Sequence, residues 1–125
     1  LHVCPLDAKF ETADGKKVSL FSIPSGATLR VETPSADRYA TISTASLPVK
    51  RNRKFRLQFQ ARGNVRLTGY STGQKRQDFM NMPLKEKWKI VSLHLVPSTD
   101  RLSLSLLSWK QKGWFEIRDF RFAEE

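Results

Sequence analysis

The stretch Trp114-Phe115-Glu116-Ile117-Arg118-Asp119-Phe120-Arg121-Phe122 decides the fold of this chain. Phe115 and Ile117 share one face of an extended strand, because successive side chains leave opposite faces of the pleat. Phe120 and Phe122 have the opposite parity. They rejoin the apolar face only if an extra residue near Arg118-Asp119 resets the phase, as a β-bulge does. An acidic residue at such a bulge calls for an explanation. Working outward, the two preceding runs alternate cleanly. Val91, Leu93 and Leu95 oppose Ile90, Ser92 and His94, while Leu102, Leu104 and Leu106 oppose Ser103, Ser105 and Trp109. That period of two is the mark of half-buried strands.

Turn signals continue the scheme towards the N-terminus, at Asp14-Gly15, Pro24-Ser25-Gly26, Pro34-Ser35, Asn52, Gly63-Asn64, Gly73, Pro83, Pro97-Ser98 and Gly113. They recur about every ten residues, which suits an antiparallel sandwich. Strands are expected over Val18 to Ile23, Thr28 to Thr33, Tyr39 to Leu47, Phe55 to Arg62, Val65 to Ser71, Trp88 to Val96, Leu102 to Trp109 and Trp114 to Phe122. Tyr70 to Lys87 reads as a polar loop with a short strand near Phe79 to Met82. No segment keeps a helical period over three turns, and no internal repeat is present.

The 125 residues suit one domain, and 39% hydrophobic content with eight Phe and three Trp argues for a packed core. A net charge of +10 points to anionic partners, with plain solubility as the bland alternative. Cys4 is the lone cysteine, so no internal disulfide is available, and Leu1-His2-Val3-Cys4 lacks the apolar region of a lipoprotein signal. No stretch approaches a membrane span. The chain is expected to be a module excised from a longer protein, and a monomer.

Enzyme chemistry finds few candidates. His2 and His94 are too few for a metal cluster or nucleophilic triad, Cys4 has no evident base, and no phosphate-cradling loop or zinc spacing occurs. Glu11, Glu116 and Asp119 take structural places rather than forming a hydrolytic pair. Binding chemistry is better represented. Phe55, Leu57, Phe59 and Ala61 point inward, which lines up Arg56, Gln58, Gln60 and Arg62 outside; Val65, Leu67 and Gly69 likewise leave Arg66, Thr68 and Tyr70 outside. Trp109 and Tyr70 are large aromatics on outward positions. With Arg56, Gln58, Arg66 and His94 on the same face, they would make an aromatic and basic ligand surface. Trp114 is placed either at a sheet rim or beneath the N-terminus.

The order Phe10-Glu11, Tyr39-Ala40-Thr41-Ile42-Ser43, Leu47-Pro48-Val49, Lys54-Phe55-Arg56-Leu57-Gln58-Phe59-Gln60-Ala61-Arg62, Trp88-Lys89-Ile90-Val91 and Phe115-Glu116-Ile117-Arg118-Asp119-Phe120 resembles the jelly-roll carbohydrate-binding modules of the galactose-binding-like superfamily. The resemblance covers nearly the whole chain. It implies an all-β antiparallel sandwich of about eight or nine strands, appended to a secreted glycoside hydrolase or polysaccharide lyase, and a secreted or cell-surface location. It also implies a structural calcium held by Glu11 and Asp119 with backbone carbonyls, the bulge turning Asp119 away from solvent towards the N-terminal segment, although Arg118 replaces a second acid usual in the family. Trp88, at a position where the family has Trp, is expected in the core. The basic excess, including Lys50-Arg51-Asn52-Arg53-Lys54 and Lys75-Arg76, then directs the expected ligand towards a uronate or sulfated polysaccharide. Two alternatives stand beside it: a structural domain packing on a catalytic neighbour, and nucleic-acid binding through the basic loops.

Overall fold

The computed structural model describes residues 8–12, 17–19, 28–33, 35–37, 39–44, 46–73 and 75–125, with side chains from residue 28 onward. Its strands are β1 (Ala8–Thr12), β2 (Lys17–Ser19), β3 (Leu29–Thr33), β4 (Tyr39–Thr44), β5 (Leu47–Pro48), β6 (Phe55–Gly63), β7 (Arg66–Thr72), β8 (Gln77–Pro83), β9 (Lys89–Leu95), β10 (Arg101–Trp109) and β11 (Gly113–Glu124). Among the described residues they form a seven-stranded sheet ordered β2-β1-β4-β10-β7-β8, with β5 also on β10, and a four-stranded sheet ordered β3-β11-β6-β9. Every pairing is antiparallel. This is the expected jelly-roll β-sandwich. No helix among the described residues is long and apolar enough to cross a membrane.

The core lies between the two inner faces, where alternate residues of each strand interdigitate. The four-stranded sheet contributes Phe55, Leu57, Phe59, Ala61, Phe115, Ile117 and Phe122, and the larger sheet Ile42, Leu47, Leu67, Leu102, Leu104 and Leu106, all buried. In the β10 run, Leu102, Leu104 and Leu106 point inward as expected. Thr44 is buried where β4 ends, and its Oγ1 accepts the Leu104 N–H at 2.9 Å, so the break before β5 leaves no stranded donor there.

The closing strand has the expected bulge. Arg118 pairs with Gln60 and Arg121 with Gln58, so the register shifts between them, and Asp119 adopts φ +55. The shift returns the phenylalanines to the core: Phe120 stacks on Phe59 at 5.7 Å and Phe122 on Phe55 at 5.1 Å between ring centres. One detail differs. Asp119 is exposed rather than turned from solvent, because its left-handed backbone swings the side chain out beside Gln60.

Other differences have local causes. β1 was not among the expected strands, since Ala8–Thr12 carries one strong apolar residue, Phe10. Of the strand expected over Val18 to Ile23, only Val18 and Ser19 lie within the described residues, and both belong to β2. The polar loop expected over Tyr70 to Lys87 is instead a hairpin, in which β7 runs on to Thr72 and the short strand expected near Phe79 to Met82 is the middle of β8. Polar outward residues and a register shift between Gly69 and Tyr70 mask its alternation.

Candidate functional site

The sandwich has two outward faces, and the residues expected to share one are divided between them. Trp109, Tyr70 and Arg66 belong to the seven-stranded sheet; Arg56, Gln58 and His94 belong to the four-stranded sheet. Strand parity places a residue in or out, but the choice of sheet depends on which strands pair.

On the seven-stranded sheet, β4 and β10 set Tyr39 directly opposite Trp109. Their rings lie 5.6 Å apart at 31°, and they are 47% and 54% exposed, which makes a wide apolar shelf open to solvent. Tyr39 is not among the expected ligand residues. Its outward phase is legible against buried Ala40 and Ile42, whereas its partnership with a residue seventy positions away is not.

Arg66 extends this row. Thr68 pairs with Leu107, so the same register sets Arg66, two residues before Thr68, level with Trp109. Gln111 fixes it there: the Arg66 N–H donates to Gln111 Oε1 at 2.6 Å, and Gln111 Nε2 donates to the Arg66 carbonyl at 2.8 Å. The side-chain amide thus replaces a ladder partner just past the end of β10. Lys110, in the left-handed region at φ +50, brings its ammonium to 5.3 Å from the Trp109 ring centre. A second row carries Thr41, Leu107, Thr68 and Asn81, and a third Ser43, Ser105, Tyr70 and Asp78. The Ser43 and Ser105 hydroxyls are 2.8 Å apart. Tyr70 is not an open platform, because the Arg76 guanidinium lies 4.0 Å from its ring centre and is held by Asp78 at 3.0 Å.

The opposite face is differently made. Trp88 is half-buried there rather than in the core, with the guanidinium groups of Arg62 and Arg118 at 4.6 and 4.0 Å from its ring centre. Arg62 Nε donates to the buried Glu116 carboxylate at 2.7 Å, and Arg118 Nε donates to Gln60 Oε1 at 2.8 Å. Arg30 covers Trp114 at 4.2 Å, so that indole is half-buried at the sheet's flank. Farther along, Glu125 lies 3.0 Å from His94 Nδ1 and 3.6 Å from Arg56 Nε. The basic loop after β5 is also matched by acids: Arg51 pairs with Asp100, Lys50 with Glu124 and Lys54 with Glu125.

At one end of the sandwich, Ser71, Thr72, Lys75, His94, Pro97 and Thr99 help line an open cleft of about 510 Å³. The two expected calcium ligands stand on different sheets. Glu11 lies on β1, level with Thr41, and Asp119 lies in the β11 bulge, where its Oδ2 accepts from Gln60 Nε2 at 3.3 Å. His2 and Cys4 fall outside the described residues.

At the level of sequence, no family model and no curated protein matches the chain. Solved structures do. A family 29 carbohydrate-binding module complexed with mannohexaose superposes at TM-score 0.60 and 10% identity, over 97% of this chain and 75% of that one. A family 61 module in complex with β-1,4-galactotriose gives TM-score 0.59 and 13% identity, over 94% and 88%. The fold is that of carbohydrate-binding modules. The enzymatically active domain of tailspike protein 4 from bacteriophage CBA120 shares it, at TM-score 0.66 and 13% identity, over 98% of this chain; the chain spans 19% of that one. Within this module fold, the shelf of Tyr39 and Trp109 and the guanidinium-covered indoles occupy opposite sheet faces.

Proposed function

We propose that this chain is a non-catalytic carbohydrate-binding module that holds an anionic polysaccharide on the outer face of its seven-stranded sheet. One observation carries the reading: Tyr39 and Trp109 form an exposed double-ring shelf in register with Arg66. Apolar C–H faces of a sugar ring pack on such a shelf, and the neighbouring polar groups set orientation. Arg66 supplies a fork for a carboxylate or sulfate substituent, Lys110 adds a second positive charge, and the hydroxyls of Thr41, Thr68 and Ser43 suit sugar hydroxyls. Similarity to modules solved with mannohexaose and β-1,4-galactotriose supports carbohydrate as the ligand class. The acids paired with the basic loop leave little of a continuous positive track, which favours this reading over nucleic acid.

Affinity electrophoresis against uronate-containing, sulfated and neutral polymers tests the proposal. Retention by the anionic polymers, lost in Trp109→Ala and Tyr39→Ala with folding unchanged, is the expected result. Preferential retention by a neutral β-glucan or xylan overturns the anionic preference, and retention unaffected by either substitution overturns the site.

A structural calcium at Asp119 belongs to the same proposal, without Glu11, which lies level with Thr41 on the other sheet. Asp119 is exposed and receives one amide hydrogen bond from Gln60, which leaves carboxylate lone pairs for an ion, and calcium takes oxygen ligands of this kind. A melting midpoint that does not change with chelator or added calcium would refute it.

A further inference from the structure

We propose that the outer face of the four-stranded sheet is a second ligand surface, built to take the sulfate esters of a sulfated polysaccharide on guanidinium groups laid over Trp88. Arg62 and Arg118 both approach this one indole, at 4.6 and 4.0 Å. Two like charges on a single ring repel each other, so their placement calls for negative charge nearby. Glu116 supplies it to Arg62 at 2.7 Å, whereas among the described residues the hydrogen-bond partner of Arg118 is the neutral Gln60. Arg121 adds to the excess. It follows Arg118 across the bulge, level with Gln58 as Arg118 is level with Gln60, so the two point to the same face about 7 Å apart. Arg121 is exposed and forms no ion pair among the described residues.

The chemistry selects the ligand. A guanidinium stacked on an indole keeps its in-plane N–H groups directed outward, already oriented for an oxyanion. A carboxylate bound by one guanidinium fork keeps only its outer lone pairs, which lie in the same plane, for a second arginine. A sulfate ester presents three terminal oxygens in a tetrahedral array, so it can accept from Arg118 and Arg121 together. Nucleic acid fits less well. The indole face on which a base would stack is covered by arginine, and Glu116 and Asp119 interrupt any continuous run of phosphate contacts. This surface lies on the other side of the sandwich from Tyr39 and Trp109 and does not depend on them.

The test uses the full chain carrying Trp109→Ala, titrated with dextran sulfate fragments and followed by NMR at the Trp88 indole N–H and the amides of Arg118–Arg121. The expected result is a saturable shift of these signals that persists in the Trp109→Ala background. Arg118→Gln and Arg121→Gln should each weaken it about tenfold, the loss of a charge-assisted hydrogen bond. Arg121 is exposed, so Arg121→Gln should melt as the parent does, which separates lost binding from lost folding. Unchanged affinity in Arg121→Gln overturns the proposal, as does equal binding of unsulfated polyuronate or of single-stranded DNA. Shifts confined to β4, β10 and β7 in the unsubstituted chain would also overturn it while leaving the aromatic shelf intact.

Discussion

Asp119 sits in the bulge of β11 at φ +55, a region that β-branched residues enter only under strain and that Asp tolerates. Replacement by Val places a branched side chain there and should cost about 2 kcal/mol of stability. Replacement by Gly removes the remaining strain but adds unfolded-state freedom of about 0.5–1 kcal/mol, and these effects nearly cancel. The Gln60 contact, exposed and 3.3 Å long, contributes little to the balance. For 125 residues, 1 kcal/mol corresponds to about 4 °C in Tm, so Asp119→Val should melt about 8 °C lower and Asp119→Gly within about 2 °C of the parent. The assay is circular dichroism melting in chelator, which isolates the backbone effect. If Gly destabilises as much as Val, the carboxylate rather than the left-handed backbone holds the bulge, and the reasoning fails. Repeating the melts with calcium tests the ion separately: a calcium-dependent gain should appear in the parent and vanish in Asp119→Gly.

Glu116→Gln removes a nearly buried charge from Arg62 and Arg30; because those side chains are 36% and 45% exposed, the loss should be about 2 kcal/mol rather than the larger cost of a sealed pair. A Tm within about 2 °C of the parent would contradict this. Gly69→Ala puts a Cβ at 2.5 Å from Phe79 Cε1 and 2.6 Å from Met80 Cγ, so thermal unfolding should show an overpacking cost of about 1–3 kcal/mol. An unchanged midpoint would mean that the half-buried Phe79 swings aside freely. Gln111→Ala frees the Arg66 backbone, lowering Tm by about 4 °C and weakening polysaccharide retention about threefold. Lower stability with unchanged retention would show that Gln111 clamps the turn without positioning Arg66 for ligand.

What the sequence determined by itself was the parity of its strands and the place where parity fails. Side-chain alternation is a property of the backbone of one strand, so Val91 and Leu104 could be set inward, and Trp109 outward, without knowing any partner. The bulge was legible for the same reason, since Ile117 and Phe120 can both reach the core only if the phase slips between them. Pairing is another matter. Arg56 and Arg66 both point outward, yet β6 and β7 belong to different sheets, and long-range register alone puts them on opposite sides of the molecule. Trp88 shows the limit most clearly: the family resemblance placed this indole in the core, and only the convergence of β6, β9 and β11 brings Arg62 and Arg118 over it instead. The rows that make up either surface, Tyr39 with Trp109 and Arg66, or Trp88 with its two guanidinium groups, join residues far apart in the chain. Tertiary structure decided them because hydrogen-bond register, and not local alternation, sets which side chains become neighbours.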